Sequence, residues 1–66
     1  MKDRIKAARV RIGMTQEELA KRLNVTQAAV SHWEQGVSFP NARLIVTLAE
    51  VLKTSVSELM GEKVTA

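Results

Sequence analysis

The chain has 66 residues, with no cysteine and no tyrosine, and holds one proline, one tryptophan, one phenylalanine, one histidine and three glycines. Each shortage closes off a class of function. Without cysteine there is no disulfide framework and no thiol nucleophile, and nothing ties the protein to an oxidising compartment. A lone histidine without cysteine cannot build a typical zinc site, and glycines as scattered as Gly13, Gly36 and Gly61 make no phosphate-cradling loop. Ser31 and His32 are adjacent, but neighbours in a helix point about 100° apart, which leaves no nucleophile-base geometry between them. An enzyme is therefore not expected, nor a metal, a cofactor or a small-molecule ligand. Apolar runs extend only a few residues, and the start MKDRIKAARVR lacks the apolar stretch of a signal peptide, so neither export nor a membrane span is expected and the cytoplasm is the default compartment.

What remains is 45% hydrophobic, enough for one small domain over residues 1–66, with a core across about 4–60 and a frayed tail at 62–66. A domain of this size buries a limited fraction of its surface, so it needs well-idealised helix packing, self-association, or both. The net charge is +3. That balance permits a polyanionic partner without requiring one. Its distribution says more, because Lys2, Arg4, Lys6, Arg9 and Arg11 crowd the first eleven residues against Asp3 alone. An ordinary solvated helix face would show the same.

Strand-like alternation is absent, and the turn residues divide the chain into five short helices. The first is expected from about Asp3 to Ile12, with Ile5, Ala8 and Ile12 on one face and Gly13 as its stop. Thr15 and Glu18 have capping-box spacing, and Leu19, Ala20 and Leu23 form the buried stripe of the helix that follows. Asn24-Val25-Thr26 makes a tight break: Asn tolerates a left-handed backbone and Thr26 caps the next helix, which runs to Gln35 and stops at Gly36. Residues 37–40 form a loop, and Asn41 caps a fourth helix with Leu44, Ile45, Leu48, Ala49 and Leu52 on its stripe. Ser55 and Glu58 repeat the capping-box spacing before a short fifth helix carrying Val56, Leu59 and Met60 and ending near Gly61.

The third helix has two usable faces. Val30 and Trp33, with Ala29 beside them, fall one turn apart and can be buried, whereas Gln27, Ala28, Ser31, His32 and Gln35 repeat at helical spacing on the other side. That outer face is polar, short and nearly uncharged. A helix built only for solubility would carry Lys and Glu there, while amides, hydroxyls and methyls are the groups that read base edges in a major groove. For Trp33 the core outweighs a stacking platform, because its spacing from Val30 points inward. Leu19, Ala20, Leu23, Val25, Val30 and Trp33 together meet the packing requirements of a helix-turn-helix, with Ala20 small where the third helix crosses and Val25 plugging the turn.

The stretch RIKAARVRIGMTQEELAKRLNVTQAAVSHWEQG, the Pro40-Asn41 step and the SVSELM ending resemble the DNA-binding domain of the lambdoid phage repressor and Cro family, including its xenobiotic-response-element-like relatives. The likeness spans roughly Arg4 to Met60. It implies an all-α, compact five-helix lambda-repressor-like domain with the helix-turn-helix at the second and third helices. It further implies base reading by Gln27, Ala28, Ser31 and His32: a carboxamide pairs with adenine N6 and N7, a methyl meets thymine, and a histidine donates to guanine N7 or a phosphate. Gln16, Thr26, Asn41 and Arg43 become candidate phosphate contacts, and Arg9 with Glu34 a structural ion pair between the first helix and the end of the third. Asn24 stands where the family most often has Gly, and Glu58 where phage repressors often carry an aromatic residue near the dimer contact.

The expected function is a sequence-specific regulator of transcription, most often a repressor, that binds a near-palindromic double-stranded operator as a homodimer with the third helix in the major groove. Val56, Leu59 and Met60 are the candidate dimer residues. A rival from another class is a protein-interaction module, such as an antitoxin-like domain with secondary DNA binding, for which the off-stripe Val46 and Val51, with Val56 and Met60, leave room.

Overall fold

The computed structural model describes residues 2–60. They form α1 (Lys2–Arg11), α2 (Gln16–Leu23), α3 (Gln27–Gln35), α4 (Ala42–Val51) and α5 (Val56–Met60), with no strand among the described residues. The expected helix end near Gly61 and the frayed tail at 62–66 lie outside them.

The breaks come from cap chemistry. Thr15 holds an extended backbone, its Oγ1 accepts from the Glu18 N–H at 3.1 Å, and Glu18 Oε1 accepts from the Thr15 N–H at 2.9 Å, so both halves of the capping box form. At the other end of α2, Asn24 sits in the left-handed region at φ 58°, which an amide side chain tolerates far better than a branched one. Thr26 caps α3 by accepting from the Ala29 N–H at 3.1 Å, and Asn41 caps α4 by accepting from the Leu44 N–H at 2.9 Å. Gly36 closes α3 at φ 80°, where a Cβ would be strained. Two details depart from expectation. Ser55 caps α5 through the Glu58 N–H, yet the return bond from its own N–H to the Glu58 carboxylate does not form among the described residues. The chain also turns after α4 through Lys53 at φ 58°, a left-handed residue where neither Gly nor Asn marked the turn.

The helices close around a core of Ile5 and Ala8 from α1, Leu19, Ala20 and Leu23 from α2, Val30 and Trp33 from α3, Ile45, Leu48 and Ala49 from α4, then Leu52 and Leu59. Helix α3 packs against α1 and α2, α2 also meets α4, and α5 bridges α1 and α4. Ala20 is buried where α2 and α3 approach, and Val25 leans half-buried onto the core from the turn between them. This packing fixes the angle at which α3 presents its outer side.

The position of α5 corrects one expectation. Leu59 is 1% exposed and belongs to the core, so it cannot be a surface residue of a dimer. A one-turn helix that closes the bundle must spend its most apolar residue inward. Val56 and Met60 pack partly against the same core and stay half-exposed.

Candidate nucleic-acid interface

Burial of Val30, Trp33 and Glu34 on the inner side of α3 leaves Gln27, Ala28 and His32 exposed and Ser31 half-buried on the outer side. These four share one surface with no Lys, Arg, Asp or Glu among them. Gln35 Nε2 donates to Ser31 Oγ at 3.0 Å, so the serine hydroxyl accepts from within the helix and keeps its own hydrogen for an outside acceptor. No acidic residue occupies the first turn of α3 or of α4, and the open N–H groups and positive dipole ends of both helices remain uncompensated by carboxylates.

The candidate phosphate contacts gather around these helix starts. Thr26 and Asn41 both spend an acceptor on capping, which leaves the Thr26 hydroxyl hydrogen and the Asn41 amide hydrogens available to an anion. Arg43 is exposed in the first turn of α4. Gln16 behaves differently. Its side chain is half-buried and turned inward: Nε2 donates to Glu34 Oε1 at 2.9 Å, and Oε1 accepts from Gln27 Nε2 at 3.5 Å. Only one of its amide hydrogens remains for a phosphate.

Glu34 lies beneath this row. Arg9 grips it with two parallel bonds, Nε to Oε2 at 2.6 Å and Nη2 to Oε1 at 3.0 Å, while Arg9 Nη1 donates to the Met14 carbonyl at 2.8 Å. The side chains are 11% and 5% exposed, so the expected structural pair is a largely desolvated one. Burial pushes the Glu34 carboxyl up, but hydrogen bonds from Arg9 and Gln16 and the charges of Arg9 and Lys6 outweigh it and hold the carboxyl below its ordinary value. The group therefore stays ionised and acceptor-only at neutral pH.

Sequence reasoning placed the Arg9–Glu34 pair but missed its link through Gln16 to Gln27. The available signal was the register of Glu34, beside Trp33 and one turn from Val30, which demands more than one partner for a buried carboxylate. It also missed the exposed apolar side chains of the loop after α3, Val37 at 67% and Phe39 at 53%, which stand in the open like Val46 on α4. Among the described residues no group of His, Cys, Asp and Glu is arranged to hold a metal, and no helix is long and apolar enough to cross a membrane.

Comparison with known proteins places this geometry. The family model described as Helix-turn-helix matches residues 5–59. An uncharacterized HTH-type transcriptional regulator of Archaeoglobus fulgidus is 37% identical over 59 residues, covering 89% of this chain and 84% of that protein. The HTH-type transcriptional activator BcrR of Enterococcus faecalis is 30% identical over 59 residues, where the match covers 89% of this chain and 29% of the longer protein. Among solved structures, the P22 c2 repressor in complex with a synthetic operator superposes with a TM-score of 0.83 at 31% identity, over 88% of each chain.

Proposed function

Because the chain belongs to the helix-turn-helix family of the lambdoid repressor and Cro type, and is a DNA-binding regulator of transcription, we propose that it represses by occupying a near-palindromic operator as a homodimer. Helix α3 enters the major groove. The observation that carries this is the uncharged outer side of α3, where Gln27, Ala28, Ser31 and His32 stand together while the opposite side is locked into the core. Gln27 and Ala28 lie at the N-terminal end of α3, from which a recognition helix addresses base edges. Thr26, Asn41, Arg43 and the remaining amide hydrogen of Gln16 hold the backbone on either side and set register.

The dimer contact uses the exposed apolar groups Val37, Phe39 and Val46, with Val56 and Met60 adding their half-exposed edges. A contact starting one residue beyond Gly36 lies close to the end of α3 and so couples the two reading helices at a fixed separation. Two half-sites should then lie about 34–36 Å apart on one side of the duplex.

Selection of bound duplexes from a random pool tests the reading. A recovered near-palindrome, with affinity falling by roughly 0.9 log unit per log unit of salt for each phosphate neutralised, is the expected outcome. Those same exposed valines and Phe39 favour a second reading, a surface for a different protein. Failure to bind any duplex at low salt would select it.

A further inference from the structure

The carboxamides of Gln27 and Gln16 and the carboxylate of Glu34 form a continuous row from the outer side of α3 into the fold, joined at 3.5 Å and then 2.9 Å. The row has a direction. An amide can offer a neighbour either its oxygen or its NH2, whereas an ionised carboxylate can only accept. Gln16 must therefore turn its NH2 inward to Glu34 and its oxygen outward. Gln27 must in turn give an N–H to that oxygen, which leaves it a carbonyl oxygen beside one N–H for anything docked on the outer side. An acceptor next to a donor complements N6 and N7 of adenine; guanine presents two acceptors, O6 and N7, and matches only half of that edge.

We propose that Glu34 sets the direction of this amide row from beneath the surface and thereby makes Gln27 a reader of adenine rather than guanine. The proposal rests on Gln27 being a base contact. Glu34 is a positioning residue, since its side chain is only 5% exposed and reaches the outside through Gln16 alone. Replacing the carboxylate by an amide reverses the row. In Glu34→Gln the shortest bond, from Arg9 Nε at 2.6 Å, keeps the amide oxygen in the place of Oε2, so the NH2 stands in the place of Oε1, gives up the bond from Arg9 Nη2 and faces Gln16. Gln16 then offers its oxygen inward and its NH2 outward, and Gln27 turns its own oxygen to Gln16 and its NH2 toward the duplex.

The test measures affinities for two duplexes that differ only by A or G at the base pair where Gln27→Ala relaxes preference, with folding followed by circular dichroism. Glu34→Gln should lower the A-over-G affinity ratio at least about fivefold, the lower end of what one bidentate base contact discriminates. Gln16→Leu removes the row but leaves the Arg9–Glu34 bonds intact and frees Gln27 to turn either end of its amide to the base, so it should lower the ratio toward that of Gln27→Ala without reaching it. A purely structural role would weaken both duplexes by one factor. A folded Glu34→Gln with an unchanged ratio overturns the proposal, and if that variant does not fold, an unchanged ratio in Gln16→Leu does so. A Gln27→Ala protein that relaxes preference at no base pair removes the base contact itself, a distinct failure that takes the proposal with it.

Discussion

Replacing Arg9 by Met leaves Glu34 in place with its carboxylate desolvated and only Gln16 to bond it. Three Arg9 bonds disappear, two to the carboxylate and one to the Met14 carbonyl. Stranding one member of a buried pair costs about 3–5 kcal/mol. At this length the whole domain is worth roughly 3–10 kcal/mol, so the variant loses much of its stability and the midpoint falls by roughly 12–40 °C. Replacing both residues, Arg9→Met with Glu34→Leu, removes the stranded charge and should recover most of the loss, giving a coupling of about 2 kcal/mol. Urea unfolding followed through the fluorescence of buried Trp33 reads all four corners of the cycle. The pH dependence adds a check on the cause. Because the wild-type Glu34 carboxyl is depressed in the folded state, the unfolded chain binds more protons at this group. Its stabilisation is then complete above the unfolded value of about 4.3 and is lost as pH falls through the folded value. Without Arg9 the direction reverses, since burial then pushes the carboxyl up, so the cost of Arg9→Met should be largest near neutrality and shrink in acid. A coupling below about 0.5 kcal/mol, or a cost independent of pH, would show that the pair does not hold α1 to α3 in this way.

Thr15→Ala removes the hydroxyl from one half of the capping box and should cost about 1 kcal/mol in denaturant unfolding. That loss should narrow in acid, because the Glu18 carboxyl is depressed first by the Thr15 backbone bond, which stays, and next by the Thr15 side-chain bond, which is lost, and the benefit of the lost bond fades as pH falls through the folded value. At Asn24, where φ is 58°, Gly should be tolerated and Val should destabilise by roughly 1–2 kcal/mol or more, measured as a shift in thermal midpoint. Phe39→Ser should leave the monomer's circular dichroism and midpoint nearly unchanged, as its ring is half in solvent, while lowering self-association in sedimentation equilibrium; a wild-type chain that stays monomeric at high micromolar concentration on a palindromic duplex would defeat the dimer reading.

The amino-acid sequence by itself determined the five helices and the breaks on either side of α2 and α3, because caps and turns are local. Thr15, Thr26 and Asn41 bond backbone groups three residues away, and Asn24 and Gly36 supply left-handed positions that other residues resist. The two sides of α3 were equally legible, since a period of 3.6 separates Val30 and Trp33 from Gln27, Ala28, Ser31 and His32 whatever the helix packs against. Three things needed the tertiary structure. The burial of Leu59 depends on how α5 lies across α1 and α4, a docking of one short turn that its own five residues do not specify. The openness of Val37 and Phe39 depends on where the loop after α3 leaves the core, and loops have no period to read. The row from Gln27 through Gln16 to Glu34 and Arg9 joins residues from three helices, up to 25 positions apart in the chain. Its direction follows from the protonation of one buried group, and only packing decides that the group is buried and which cation meets it.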